Sequence, residues 1–135
     1  MKPRAVAIIN DQSTGRVLLV HRWRDGLEYF VLPGGKIEEW ETPEEACIRE
    51  AREETGLVIT IGPQVARFNN LGRVEYYFPA THFSGNLEVG FPKKRWQTFE
   101  NIYKLEWVPI EQLKGLPLKP PAILSVVLMS FTGKI

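Results

Sequence analysis

Short apolar runs separated by turn formers dominate this chain, and in two places they give way to a helical pattern. Residues 5–9 and 17–20 are apolar and are separated by a polar, glycine-ended stretch at 11–15, which predicts strand, turn and strand. Residues 28–32 form a third predicted strand that runs into a turn at Pro33-Gly34-Gly35. Residues 58–61, 65–69, 74–81 and 105–108 are the other predicted strands. Most are nearly continuous in apolar residues, as strands covered on both faces are. Residues 122–131 follow Pro120-Pro121 and are apolar almost all round, which predicts a helix buried in the core or in an interface. Helices before and after a mixed β-sheet give an α/β fold, an α/β/α sandwich.

The second helical pattern carries the candidate chemistry. Thr42 is a good N-cap, Pro43 suits the first helical position, and Glu45 stands where it can bond back to Thr42 and complete a capping box. Gly56 suits the left-handed residue that ends a helix, so the element is expected to start near Thr42 and stop near Thr55. At about 100° per residue, Glu50, Glu53 and Glu54 fall within an arc of roughly 100°, while Cys47, Ile48 and Ala51 lie on another side, available for the core. Most acidic helix faces only solvate an amphipathic helix, here with Glu45 and Arg49 as an i,i+4 pair. Glu50 and Glu54, however, are like charges at i,i+4, which costs a few tenths of a kcal/mol unless a cation relieves it. Magnesium, a hard cation that takes oxygen ligands, is the natural relief. Placed directly after the Gly34-Gly35 turn, such a face suits magnesium held against a diphosphate.

Gly35, Glu41, Arg49, Glu50, Ala51, Glu53, Glu54, Gly56 and Leu57 together resemble the signature of the Nudix hydrolases. That signature reads glycine, five residues of any kind, glutamate, seven more, then Arg-Glu, an aliphatic, any residue, Glu-Glu, any residue, glycine and an aliphatic. Every fixed position matches, which average residue usage makes a chance event on the order of 10⁻⁸ per window. Ala51 is smaller than the usual aliphatic. The motif covers 23 of the 135 residues, and the surrounding elements resemble the same family, so the likeness extends over a single domain at 1–135.

The resemblance implies a magnesium site, with manganese as a substitute. By that likeness Glu50 and Glu54 are direct metal ligands, Glu53 is a further ligand or the base that activates water, and the Gly34 carbonyl is an additional ligand. Arg49 then orients the carboxylates, with Glu41 as its partner across the loop. Related enzymes often recruit a later acid: Glu100 is the candidate, and Glu106 its competitor. Many relatives have glycine where this chain has Trp40, so the loop is expected to differ in shape and to place an aromatic lip near the metal.

Beyond the motif, Arg22 and Arg24 can reach phosphates, since the arginine fork bonds two oxygens at once; solvated surface charge is the alternative. His21 beside them is expected to be structural, because a magnesium site prefers oxygen. Lys93-Lys94-Arg95-Trp96 reads as a solvated loop before it reads as an anion site. Trp23, Tyr29, Phe30, Tyr76, Tyr77 and Phe83 include residues able to stack on a base, although most are expected in the core. Tyr76 and Tyr77 lie near where diadenosine polyphosphate hydrolases of the family carry a tyrosine.

Composition narrows the partners. A formal charge of +1 over 135 residues argues against bulk nucleic-acid binding, so a nucleotide is expected in a pocket. The single cysteine, Cys47, reads as a buried thiol. No apolar run approaches a membrane span and the N-terminal run is too short for a signal peptide, so a cytoplasmic protein is expected, a monomer if 122–131 completes its own core and a homodimer if that segment is buried in an interface. The leading functional reading, from the resemblance, is a magnesium-dependent hydrolase of a nucleoside diphosphate linked to another group. A triphosphate pyrophosphohydrolase acting on oxidised dGTP is favoured. Nucleotide sugars, ADP-ribose, dinucleoside polyphosphates and capped or triphosphorylated RNA are the other substrates considered, and a non-catalytic nucleotide-binding module is the alternative of another class.

Overall fold

In a computed structural model, which describes residues 1–88 and 101–132, the apolar runs assemble into two sheets that share one interior. The first sheet holds β1 (Arg4–Ile8), β5 (Gly34–Lys36), β6 (Leu57–Ile61), β7 (Ala66–Asn70) and β8 (Arg73–Gly85). It is mixed: β1 lies parallel to β8, while β5 pairs with β1, and β6 and β7 pair with β8, all antiparallel. The second sheet is antiparallel and holds β2 (Asn10–Asp11), β3 (Arg16–Arg24), β4 (Leu27–Val31) and β9 (Asn101–Pro109).

Two helices cover the sheets, α1 (Pro43–Thr55) and α2 (Ile123–Thr132). The strand β1 is buried on both faces, and its alternation sorts the core into two layers. Ala5 and Ala7 join Ala46, Cys47 and Ala51 of α1, whereas Val6 and Ile8 join Ile123, Val126 and Val127 of α2. This is the α/β/α arrangement with a mixed sheet that the apolar runs predict. Small side chains at Ala46, Cys47 and Ala51, all fully buried, bring α1 close to β1, β5 and β6. Among the described residues no helix is long and apolar enough to cross a membrane.

The ends of α1 form as their residues dictate. The Glu45 N–H donates to the Thr42 hydroxyl at 3.1 Å and the Thr42 N–H donates to Glu45 at 2.8 Å, so both halves of the capping box are made. Gly56 caps the other end at φ 80°, where a side chain is strained.

Three expectations shift. The turn expected at Gly34-Gly35 is the short strand β5, because Ala5 and Val6 pair with Gly35 and Gly34. Ile48, expected on the core side of α1, is 38% exposed, and Glu54 lies in the buried stripe with Cys47 and Ala51. Strand β3 runs on through His21, Arg22, Trp23 and Arg24, a mostly polar stretch that pairs with β4 and β9 on either side. Of α2, Leu128 and Met129 stay exposed while Ile123, Val126 and Val127 are in the core.

Candidate active site

Arg49, in the middle of α1, organises the acids around it. Its Nε and Nη2 donate to the two carboxylate oxygens of Glu41 at 2.6 and 2.7 Å, a two-pronged pair. Its Nη1 donates to Glu50 at 2.9 Å and to Glu53 at 3.0 Å, and Nη2 also reaches the Lys36 carbonyl at 3.0 Å. One guanidinium thus ties the loop before α1, the helix and β5 together. Glu41 is nearly buried, and its hydrogen bond from Arg49 holds its carboxyl below the usual range. The same bond to Glu41, and then those to Glu50, raise the Arg49 pKa further still. The pairing of Glu41 with Arg49 is the one the motif implies.

The repulsion between the acids of α1 is therefore partly relieved without a cation. Glu50 and Glu53 turn to Arg49, and Glu54 accepts the Gly34 N–H at 3.1 Å, so a guanidinium and a backbone dipole relieve part of the repulsion. Among the described residues no three acidic, histidine or cysteine side chains are already grouped as they would be around a metal ion.

The donors nonetheless suit a hard cation, since carboxylates and a backbone carbonyl are its preferred ligands. Gly34 pairs with Val6 while its N–H points off the ladder to Glu54, and the carbonyl of a strand residue faces the same way as its N–H. A Cβ on Gly35 would stand 2.2 Å from the Glu50 carboxyl carbon, so the missing side chain makes room for that acid. A Cβ on Gly34 would meet the Ala5 carbonyl oxygen at 2.4 Å, which fixes glycine there for packing.

Beside the acids lies a cleft of about 210 Å³ between the two sheets. Arg4, Val6, Asn70 and Glu75 of the first sheet form one wall, Val20, Arg22, Tyr29, Val31 and Tyr103 of the second form the other, and Glu54 and Lys119 also line it. The volume fits a base or a sugar rather than a whole nucleotide, since pockets for larger ligands run to roughly 300–1,000 Å³. Arg22 donates to the Tyr103 hydroxyl at 2.8 Å and to Asn101 at 3.0 Å, and its guanidinium stands 4.1 Å from the Tyr103 ring centre. Lys119 Nζ stands 4.4 Å from the ring centre of Tyr29. This wall is cationic and aromatic.

The sequence-derived candidates divide accordingly. Arg22 lines the cleft, whereas Arg24 is exposed beside Asp25 at 3.7 Å. Tyr76 faces the α1 side of the sheet, with the Arg67 guanidinium 5.6 Å from its ring, and is not among the cleft-lining residues. Trp40 is 78% exposed in the loop before α1. Glu100 and the 93–96 run lie outside the described residues. Its competitor Glu106 is bonded to His21 Nδ1, and His21 Nε2 contacts Glu28 at 2.6 Å. With both ring nitrogens engaged and Phe30 stacked against it, His21 joins β3, β4 and β9, a structural part as expected.

Sequence reasoning missed Asn70, Glu75, Tyr103 and Lys119. Only Glu75 carried a signal, a charge inside an apolar strand.

A family model for the NUDIX domain matches residues 1–127. The chain is 38% identical over 82 residues to the 8-oxo-dGTP diphosphatase of Escherichia coli, a match spanning 59% of this chain and 58% of that one. It is 30% identical over 103 residues to an ADP-ribose pyrophosphatase of Methanocaldococcus jannaschii, spanning 70% of this chain and 61% of that one. These matches thus cover about three-fifths of the length of either relative. In fold the chain resembles a MutT structure from work on the Aliivibrio salmonicida and Vibrio cholerae proteins, with a TM-score of 0.76 at 22% identity over 98% of both chains. The solution structure of the Escherichia coli ORF135 protein follows at TM-score 0.69 and 28% identity, covering 95% of this chain and 86% of that one. The match of the family model across nearly the whole chain, on this fold, places the protein in the NUDIX domain family, the Nudix hydrolases.

Proposed function

We propose that this protein hydrolyses a phosphoanhydride of a nucleoside diphosphate linked to another group. We further propose that its substrate is a nucleoside triphosphate of the oxidised dGTP kind, released as monophosphate and pyrophosphate. The observation that carries this reading is the meeting of the acids of α1 with the cleft at Glu54, which accepts the Gly34 N–H and also lines the cleft. A base or sugar in the cleft then has its phosphates against Glu50, Glu53 and Glu54. The similarity to a protein named 8-oxo-dGTP diphosphatase supports the substrate class.

Glu50, Glu54 and the Gly34 carbonyl would hold a divalent cation, magnesium with manganese as substitute. Such an ion, when bound, neutralises crowded phosphate oxygens and makes water more acidic. Arg49 holds Glu50 and Glu53 ready, so little reorganisation remains when substrate arrives. Glu53 is the proposed base that takes a proton from water, a reading supported by its being the most exposed of the three, with 48% of its side chain accessible. Glu100 remains the proposed later acid. Arg22 and Lys119 supply positive charge to the cleft.

A second reading, hydrolysis of ADP-ribose, is supported by the likeness to the archaeal ADP-ribose pyrophosphatase. Incubation with magnesium and a nucleotide panel, followed by chromatography, separates the two: a nucleoside monophosphate with pyrophosphate supports the first, AMP with ribose phosphate the second. Glu53→Gln and Glu54→Gln are each expected to lower turnover by two orders of magnitude or more while the fold survives, given the typical weight of acid–base and electrostatic groups. Turnover at the wild-type level in both variants refutes the assignment.

A further inference from the structure

Glu75 is a carboxylate that the proposed chemistry does not use. It is 2% exposed, yet it forms part of the cleft wall. Burying a charge is costly unless it is paired and hydrogen-bonded. Tyr77 donates its hydroxyl to one carboxylate oxygen at 2.8 Å, and Asn70 donates its amide to the other at 3.3 Å. Arg4 stands 3.8 Å from that second oxygen, close enough for ion pairing but too far for a hydrogen bond. The Tyr77 phenol stays protonated, because burial first and Glu75 second raise its pKa, so it remains a donor. A carboxylate has about four lone-pair sites, and the hydrogen bonds among the described residues occupy two.

The two walls of the cleft differ: the side of the second sheet is cationic and aromatic, while the side of the first sets the Glu75 carboxylate beside Asn70 and Arg4. Arg22 and Lys119, with Tyr29 and Tyr103, face Glu75 and Asn70 across a space that fits one ring system. Phosphates are repelled by Glu75 and drawn to Arg22 and Lys119, and a divalent cation held by the acids of α1 would draw them there. What suits the Glu75 end is the uncharged end of a nucleotide that presents hydrogen-bond donors.

We propose that Glu75, steadied by Tyr77 and Asn70, is a specificity-determining residue that accepts two adjacent N–H or O–H donors of the substrate. The N1–H and 2-amino group of a guanine present that chemistry in a substrate of the dGTP kind, and the vicinal hydroxyls of a ribose present it in a ribonucleotide. This rests on the reading of the site as a nucleotide hydrolase.

The test compares kcat and KM for GTP, dGTP and inosine triphosphate, which lacks the 2-amino group, in the wild type and Glu75→Gln. Glutamine keeps an oxygen for Tyr77 but loses the charge and half of the acceptor capacity. A guanine contact is expected to favour GTP and dGTP over inosine triphosphate by about tenfold or more in kcat/KM; a ribose contact favours GTP over dGTP by a similar factor. In either case Glu75→Gln brings the preferred substrate down to the level of the other, mainly through KM. A purely structural Glu75 lowers the melting temperature and affects all three substrates alike, which overturns the inference, as does a wild type that distinguishes none of them. If the wild type hydrolyses no nucleotide, the proposed reaction fails. The inference is then decided by calorimetry with GMP, IMP and dGMP on the same two proteins, where equal affinities in the wild type overturn it.

Discussion

Two neighbouring glycines differ in what a side chain would meet. A methyl on Gly34 meets the backbone of β1, which cannot yield, whereas a methyl on Gly35 meets the end of the Glu50 side chain, which can. Gly34→Ala is expected to cost several kcal/mol, in the upper range of single substitutions, and Gly35→Ala about 1 kcal/mol or less. Yet Gly35→Ala displaces Glu50 and is expected to lower turnover at least tenfold with little change in melting temperature, whereas Gly34→Ala, at the residue whose N–H holds Glu54, is expected to lower both. At Glu41 the sign of the pH dependence follows from its depressed pKa. Its stabilising pair with Arg49 is fully present above the unfolded carboxylate range, near pH 4.3, and is lost as pH falls through the lower folded value. Glu41→Gln is expected to cost about 1.5–3 kcal/mol at pH 7, and much less once pH has fallen through the folded value, as denaturation at neutral and acid pH would show. Cys47 is fully buried and its thiol is pushed up to about 12, chiefly by burial. Thiol reagents at pH 7 should label it only after unfolding, and rapid labelling of the native protein would contradict its place in the core.

At the scale of elements, α1 was the most legible part of the chain because its signals are local. Thr42, Pro43, Glu45 and Gly56 act on backbone groups within a turn of themselves, and all do so in the structure. Thr42→Ala should therefore cost about 1 kcal/mol, read from the melting transition, without changing KM. The sector that α1 buries was less legible, since helix angle alone does not say which neighbours wait on each side. Ile48 lost its expected burial, while Glu54 gained its own because Gly34 offers an N–H there. Strand β3 was read short because His21 to Arg24 are mostly charged or polar. Their extension is dictated by pairing with β4 and β9, which are distant in sequence. The Arg49 pairing with Glu41 was legible only through the family signature, as nothing in an eight-residue spacing across a loop demands it.

At the scale of the whole molecule, the cleft was the least legible feature, because its walls come from segments far apart in sequence and close only when the two sheets face each other. Its position matters through Glu54, which belongs both to the cleft and to the acidic helix. On the proposed reaction the protein acts as a ruler. The nucleoside is anchored in the cleft, and the bond that is cut is the one lying a fixed distance away, at the acids of α1. Lengthening the phosphate chain should then change the leaving group and not the bond that breaks. Hydrolysis of a triphosphate and of the corresponding tetraphosphate in ¹⁸O-labelled water tests this, with the nucleoside monophosphate expected as the common product. A monophosphate from one and a diphosphate from the other would mean that the distal end of the chain sets the register.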